Sequence, residues 1–280
     1  MRATIGSPPR AGRGTPVRVP PEVFDGHYPG FPLLPGMVLL GLVDDLVRRR
    51  RPGLPVTGLR AGRFLAPVAP GTGLVVHLAE SPGTTTATVT DGTRTVAELA
   101  LDHSPVPGPA APWPPPDTVP DTRPDTAPDT APDVDVTAVI PHRGAMLLVD
   151  GVRAATGDRL VAEHGVRRAG GLPPWLAVES WAQAALLLAL ADRPVPDVLT
   201  AGVPVLAALD DVRLGPGALA PLPAGTVLVH HVRLRRRPAG TAWLDGVTTT
   251  AAGVLLGVGR VLVATRPVAD LRPPSPEESR

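Results

Sequence analysis

The stretch GHYPGFPLLPGMVLLGLVDDLVRRRR, which runs from Gly26 to Arg51, decides how the first part of the chain folds. It begins with a loop rich in proline and glycine, and this loop carries His27. Nearly every position in the first half of the segment that follows is apolar. We therefore predict a helix over Met37–Arg51 that is buried on most sides. One Pro-Gly pair opens this helix and another closes it.

Four segments of alternating character follow this helix, separated by Pro-Gly and Asp-Gly turns that are typical of antiparallel strands. They read VTGLRAGRFLAPV, GLVVHLAES, TTTATVTDG and RTVAELALDH. The second part of the chain has two strands, a helix over Pro173–Arg193 and four further strands. One long apolar helix with an antiparallel meander, occurring twice, predicts a sheet wrapped around a central helix in each part.

A proline-rich segment separates the two parts. Asp-Thr-x-Pro recurs there with a period of four, and proline at this density removes backbone donors and prevents helix formation. We predict an N-terminal domain over residues 1–105 and an extended, semi-rigid linker over 106–135. A second domain is predicted over 136–268 and a C-terminal tail over 269–280.

The composition excludes several classes of protein. A formal net charge of +1 argues against a dedicated nucleic-acid binder. Without cysteine, the chain has no disulfide, thiolate metal site or cysteine nucleophile, and without lysine it has no Schiff-base chemistry. The most apolar stretch, AALLLALA, is shorter than the ~20 residues that a bilayer requires. The N-terminus lacks the apolar segment of a signal peptide, so we expect a soluble cytoplasmic protein.

Three motifs resemble one family. GHYPGFPLLPG, over Gly26–Gly36, resembles the GHFPG-x-P-x-x-PG signature of the hotdog-fold 3-hydroxyacyl-carrier-protein dehydratases of fatty acid synthesis. In the second part, IPHRGAMLLVDGV resembles the family's opening strand, and AVESWAQAAL resembles its helix motif E-x-x-AQ. The resemblance implies an α+β double hotdog, in which two antiparallel sheets, each wrapped around a central helix, are related by a pseudo-twofold axis.

The two parts divide the family's functional residues between them. In the family an acid follows the histidine by fourteen positions, and that position is Gly41 here, with Asp45 where the family has its glutamine. The second part has the acid, Glu179, and the glutamine, Gln183, but no His-x-Pro-Gly loop. This division resembles the two-subunit dehydratases of aryl polyene and related polyene pathways, as if such a pair were fused by the linker. The resemblance implies that His27 and Glu179 form one catalytic site between the hotdogs.

Dehydration of a 3-hydroxyacyl thioester to a trans-2-enoyl thioester needs a base at C2, a proton donor for the C3 hydroxyl group, and a stabilised thioester oxygen. Neutral His27 suits the base, and Glu179 suits the acid if burial keeps it protonated. Which of the two moves which proton stays open. Gln183 is placed to hydrogen-bond the carboxyl group, with simple packing as the alternative. The backbone N–H of Gly36 is expected to bind the thioester oxygen.

We expect no metal and no organic cofactor, because the family's substrate arrives on the phosphopantetheine arm of an acyl carrier protein. That partner is acidic, so arginine clusters are its expected docking surface: Arg48–Arg51, Arg167–Arg168, or Arg233 with Arg235–Arg237. Neither nucleic acid nor membrane is an expected partner. The pathway, the acyl chain length and a further pairing into a homodimer of double hotdogs stay open.

Two other functions remain as alternatives to the dehydratase. One is a hotdog acyl thioesterase, in which Glu179 activates water but the His27 loop has no role. The other is a non-catalytic acyl-binding or scaffolding module. For His77, His103, His230 and His231 we expect structural roles, because none has an acidic companion at motif spacing. His142, in PHRG, is a candidate to line a channel mouth, with a structural role as the favoured alternative.

Overall fold

The computed structural model describes residues 14–104, 133–190 and 202–268. The predicted tail, and all of the predicted linker except its last few residues, lie outside these ranges. The proposed division into domain, linker, domain and tail therefore stays a prediction.

The first part contains one long helix and five strands. The chain begins with a short strand, β1 (Thr15–Val17), and a 3₁₀ turn over Pro21–Phe24, neither of which we predicted. The loop that carries His27 then leads into helix α1 (Gly36–Arg50). The four predicted strands follow as β2 (Gly58–Phe64), β3 (Leu74–Ser81), β4 (Thr84–Thr90) and β5 (Thr95–Asp102).

The second part has the same plan with one more strand. It opens with a short helix, α2 (Val136–Val139), and a 3₁₀ turn over Gly144–Met146. The six predicted strands and the predicted helix are present as β6 (Gly151–Ala155), β7 (Arg159–Gly165), α3 (Pro174–Leu190), β8 (Val203–Leu214), β9 (Val227–Arg236), β10 (Thr241–Thr250) and β11 (Gly253–Arg266). A third 3₁₀ turn, over Pro216–Ala218, follows β8.

The strands form a single antiparallel sheet of eleven strands in the order β1-β3-β4-β5-β2-β8-β11-β10-β9-β7-β6. The predicted double hotdog is confirmed, and the two predicted sheets are joined edge to edge. The join is the pairing of β2 with β8, where Leu59 lies opposite Val212 and Arg63 opposite Ala208. An ion pair of 2.6 Å between Arg63 and Asp210 crosses the same seam. Each half thereby covers one open edge of the other, which an isolated hotdog would leave exposed.

The two central helices lie against each other inside the sheet. All side chains of α3 from Trp175 to Leu190 are buried, as expected for a helix that is apolar on all sides. Helix α1 buries one side and ends in exposed arginines. The indole N–H of Trp175 donates a hydrogen bond of 2.9 Å to Asp44 of α1. This contact ties the helices together at one end of their interface.

Candidate active site

A cavity of about 280 Å³ lies at the interface of the two halves and contains both predicted catalytic residues. His27 enters from the loop before α1, and Glu179 enters from the first half of α3. The structure also places the predicted Gly36 and Gln183 on the cavity wall. The rest of the wall is mostly aliphatic and includes residues from both halves.

The loop that carries His27 is attached to the second half of the chain on both sides of the histidine. The backbone N–H of Arg143 donates a hydrogen bond of 2.7 Å to the carbonyl oxygen of Gly26. On the other side, the hydroxyl group of Tyr28 donates to the carbonyl oxygen of Pro204. Tyr28 also packs with Leu33 and other apolar residues in a small cluster beside β8. The position of the imidazole is therefore fixed by the half of the chain that supplies the acid.

The orientation of the His27 ring leaves one nitrogen available for chemistry. Its Nδ1 lies 2.9 Å from the carbonyl oxygen of Leu33. Because a carbonyl oxygen can only accept, Nδ1 carries the proton and Nε2 keeps its lone pair. Burial, together with the charge of His142, lowers the pKa of His27 to about 4. The imidazole is therefore neutral at neutral pH, as a general base must be.

Gln183 holds the carboxyl group of Glu179 in place. Its Nε2 donates to Glu179 Oε1 at 3.2 Å and to the carbonyl oxygen of Met146 at 2.9 Å, while its Oε1 accepts from the N–H of Leu148 at 2.8 Å. The amide is thus fixed at both ends, and 1% of the residue is exposed. These bonds agree with the predicted contact between Gln183 and the carboxyl group.

The ionisation of Glu179 differs from the sequence-based expectation that burial keeps it protonated. Burial does raise the pKa of Glu179. The opposing interactions, with His142 first and then with His27 and Gln183, outweigh burial and bring the pKa below its usual value. The carboxyl group is accordingly an anion at neutral pH. The expectation was wrong because it counted desolvation and omitted the histidines facing the carboxylate.

His142, for which we favoured a structural role over a place at a channel mouth, is a residue of the site. It is buried, lines the cavity, and places its Nε2 3.6 Å from Glu179 Oε1. That separation is longer than a normal hydrogen bond, but it places the imidazole directly against the carboxylate. The ring centroids of His142 and His27 are 5.1 Å apart. The only signal in the sequence was the PHRG motif itself, because the residue has no acid near it in the chain.

Gly36 stands at the first position of α1, at the end where the backbone N–H groups of a helix lack partners within the helix. The preceding residue, Pro35, provides no side-chain cap. A Cβ atom on Gly36 would lie 3.0 Å from the ring of Phe64, which also lines the cavity. The arrangement is compatible with the predicted binding of the thioester oxygen, which stays a prediction.

The two histidines and the glutamate are also a set of groups that could hold a metal ion. Their ligand atoms lie within 4.8 Å of one another. Two imidazoles and one carboxylate suit divalent transition metals such as zinc or iron. The same three groups serve acid–base chemistry without a metal, and our expectation of a metal-free reaction stays a prediction.

A second cavity, of about 560 Å³, lies at the other end of the helix interface. It is lined by Gly41 and Asp45, which occupy the positions of the family's acid and glutamine, and by Asp44. Asp44 is buried and is engaged by Trp175 and by Arg48, whose Nε lies 2.8 Å from it. No histidine lines this cavity. The structure therefore has one cavity with the predicted catalytic pair and a related cavity with neither member.

Three of the other histidines lie in β7 and β9, away from the cavity. The ring of His230 is satisfied on both nitrogens, at 2.7 Å from Ser180 Oγ and 2.9 Å from Thr248 Oγ1. His164 lies 3.6 Å from Asp150. His231 lies 3.4 Å from Thr249 Oγ1. The contacts of His230 and His231 agree with the structural roles that we expected.

Members of each predicted arginine cluster form ion pairs within the chain. Arg48 pairs with Asp44, Arg51 with Glu80, Arg167 with Asp150, and Arg233 and Arg235 with Asp245. At the cavity itself stands an arginine that we did not predict, Arg266, which is exposed and lies at the end of β11.

In the described ranges, no helix has the combined length and apolar character needed to cross a membrane.

The first hotdog matches a known family. Residues 16–98 match the family model of ApeI-like proteins, described as ApeI dehydratase. The match extends from β1 into β5 and includes the whole His27 loop and α1. It confirms, for this part of the chain, the resemblance that rested on the Gly26–Gly36 motif.

Solved structures match nearly the whole chain. The dehydratase domain of PpsC from Mycobacterium tuberculosis, in complex with C12:1-CoA, aligns with a TM-score of 0.64 at 15% identity, over 91% of this chain and 98% of that one. The dehydratase domain of RzxB from Pseudomonas fluorescens aligns with a TM-score of 0.62 at 15% identity, over 89% of this chain and 92% of that one. The bifunctional dehydratase-cyclase domain of ambruticin biosynthesis aligns with a TM-score of 0.58 at 22% identity, over 89% of this chain and 88% of that one. The chain is therefore a double hotdog with the fold of these dehydratase domains, and its first hotdog carries the ApeI-like dehydratase match.

Proposed function

We propose that this chain dehydrates 3-hydroxyacyl thioesters to trans-2-enoyl thioesters, in a single active site formed between its two hotdogs. The observation that carries the proposal is the convergence of His27 and Glu179, from opposite halves, in one largely apolar cavity. The family match of the first hotdog and the fold of the whole chain agree with it. A polyketide, polyene or fatty acid pathway is the expected setting.

The geometry supports His27 as the base. Neutral His27, with Nε2 free, removes a proton from C2 of the substrate. As negative charge develops on the thioester oxygen, the free N–H groups at the start of α1, that of Gly36 first, stabilise it. The ionised Glu179 accepts a hydrogen bond from the C3 hydroxyl group and stabilises the imidazolium that forms on His27.

We further propose that the substrate is carried on the phosphopantetheine arm of an acyl carrier protein. The aliphatic wall of the cavity suits an acyl chain. Arg266 is exposed at the same cavity and is a suitable partner for the phosphate group of the arm. No metal or organic cofactor takes part in the proposed reaction.

Intact-mass analysis of carrier-protein substrates tests the proposed function. Purified protein is incubated with a 3-hydroxyacyl-carrier protein and, separately, with the 2-enoyl-carrier protein. A dehydratase interconverts the two with the loss or gain of one water. Release of free acid would instead identify a thioesterase, and binding without a mass change would identify an acyl-binding module.

Variants of the two proposed catalytic residues complete the test. His27→Ala and Glu179→Gln are each expected to reduce turnover by about 100-fold or more, the usual size of an acid–base contribution. His103→Gln is the matched control, since this histidine bonds Thr85 and Pro55 and does not line the cavity. Full activity in either active-site variant would overturn the assignment.

A further inference from the structure

The buried environment of His142 is energetically unfavourable for a histidine side chain. The residue is 3% exposed, and its Nδ1 is buried with no hydrogen-bond partner among the described residues. Leaving a buried polar atom unpaired is unfavourable, and an apolar side chain of similar shape would avoid that cost. Both ring nitrogens of His230 are satisfied. His164 and His231 also have an unpaired buried Nδ1, so what distinguishes His142 is its place on the cavity wall, with Nε2 facing Glu179. His142 is therefore not a satisfied core histidine.

The segment that carries His142 is held firmly between the two halves. The guanidinium group of Arg143 donates to the carbonyl oxygens of Thr137, Ile140 and His142, at 2.7 to 2.8 Å. The N–H of Arg143 is the donor that binds Gly26 beside His27. The same short segment thus positions the catalytic loop and directs an imidazole at the catalytic carboxylate.

The titratable groups that face Glu179 are His27, His142 and Tyr28. Of these, His27 is neutral in the free protein, and Tyr28 is a phenol whose pKa is raised by burial. Among the groups that oppose burial and lower the pKa of Glu179, His142 comes first. Its Nε2 lies 3.6 Å from the carboxylate oxygen Oε1. Gln183 supplies a hydrogen bond but no charge.

We propose that His142 is a positioning residue that acts through Glu179, holding the carboxylate as an anion directed at the substrate's C3 hydroxyl group. This inference rests on the proposed dehydratase function and adds to it a division of labour. Glu179 then orients the hydroxyl group and has no proton of its own to give. His27 must carry the proton in both steps.

One histidine, His27, carries out both proton transfers of this reaction. The C2–H bond breaks, and the proton moves to His27 Nε2. The C3–O bond then breaks as the imidazolium returns that proton to the departing hydroxyl group, which leaves as water. The electron pair from C2 becomes the C2=C3 double bond. Neither Glu179 nor His142 changes its protonation state over the cycle.

The first test is independent of activity. Protein labelled with ¹³C at the glutamate carboxyl carbon is titrated by NMR, and the Glu179 resonance is assigned from Glu179→Gln. In the unaltered protein the carboxyl group should titrate below the usual glutamate value. In His142→Phe it should titrate above that value, because burial is then opposed by fewer groups. An unmoved titration would overturn the proposal even if the protein has no dehydratase activity.

The second test separates function from structure. His142→Phe removes both ring nitrogens, including the buried Nδ1 that has no partner among the described residues, so its melting temperature should be equal to or higher than that of the unaltered protein. Its kcat should nevertheless fall about tenfold or more, with KM within about twofold. The acidic limb of its pH profile should move to higher pH. His142→Gln, which is polar but uncharged, should shift the titration and the pH limb in the same direction.

The results separate a failure of the His142 proposal from a failure of the proposed dehydratase function. Loss of kcat in proportion to a lowered melting temperature would identify a merely structural histidine and overturn the proposal. An unchanged kcat and pH profile would do the same. If the unaltered protein does not interconvert the carrier-protein substrates, the proposed function fails, and the NMR titration still decides whether His142 governs Glu179. His103→Gln should match the unaltered protein in both tests.

Discussion

Replacing Gly26 by alanine should displace His27 without changing any catalytic group. Gly26 has a φ of +79°, and a Cβ atom there would lie 2.1 Å from the carbonyl oxygen of Arg143 and 3.0 Å from its carbonyl carbon. Both are backbone atoms, so no side-chain rotation can relieve the contact. The loop would have to withdraw from the second half of the chain, moving His27 away from Glu179.

The size of the effect follows from these distances. To reach 3.0 Å, the shortest contact that Cβ atoms tolerate, the loop must retreat by about 0.9 Å. A misplacement of about 1 Å at a catalytic group can reduce the rate about 100-fold. The left-handed backbone adds a penalty of about 1–2 kcal/mol for a non-glycine residue. Loss of the hydrogen bond from Arg143 adds about 1 kcal/mol to the loss of stability.

Gly30 provides the matched control within the same loop. Its φ is +78°, almost the same as that of Gly26, but a Cβ atom there would meet nothing within 4 Å. Gly30→Ala therefore carries the backbone penalty of about 1–2 kcal/mol without the displacement. Its kcat should stay within about threefold of the unaltered protein, well short of the loss expected from a 1 Å misplacement.

The comparison uses initial rates with a 3-hydroxyacyl thioester and urea unfolding of both variants. Gly26→Ala should lose about 100-fold in kcat while remaining folded. Equal activity of the two alanine variants would refute the claim that the contact with Arg143 positions His27. An equal loss in both would show that the backbone conformation, and not the contact between the halves, controls the loop.

Three further predictions follow from the same geometry. Gly36→Ala should lower kcat/KM about tenfold, because the added methyl group would crowd the Phe64 ring at the proposed oxyanion site. Adding Phe64→Leu to this variant should restore part of the loss. If it restores none, crowding by Phe64 is not the cause. Trp175→Phe should lower the free energy of unfolding by about 1.5–3 kcal/mol, because buried Asp44 loses a hydrogen-bond donor. It should leave kcat unchanged, because Trp175 and Asp44 line the second cavity. A fall in kcat would contradict the independence of the two cavities. Because the pKa of His27 is lowered to about 4, the folded protein protonates His27 less readily than the unfolded chain does. The free energy of unfolding should therefore fall as the pH drops from about 6.5 toward 4. Urea unfolding of His27→Gln should lack that part of the pH dependence.

The helices, most strands and the divided catalytic pair were predictable because each leaves a local signal. The continuous apolar run of α3 indicates a helix buried on all sides. The His-x-Pro-Gly loop and the E-x-x-AQ motif indicate their residues through their resemblance to the dehydratase family. The short elements, such as β1 and the 3₁₀ turns, were missed because a few residues carry little periodicity. The joining of β2 to β8 was missed because edge-to-edge pairing depends on the assembled halves.

The charge of Glu179 could not be read from its neighbours in the chain. Its apolar flanks indicate desolvation, which favours the neutral form. The groups that reverse this preference, His142 and His27, come from distant segments and meet the carboxylate only in the folded structure. The sequence thus predicted that His27 and Glu179 share the site, but the expected protonation state of Glu179 was wrong.

The claim that His27 and Glu179 act on one substrate is tested most directly by a crystal structure of His27→Ala with a bound 3-hydroxyacyl-pantetheine thioester. The account predicts that the ligand lies in the cavity of about 280 Å³, with its C3 hydroxyl group hydrogen-bonded to the Glu179 carboxylate and its C2 facing the space left by the imidazole. A ligand bound in the second cavity, or one that contacts only one half of the chain, would contradict it.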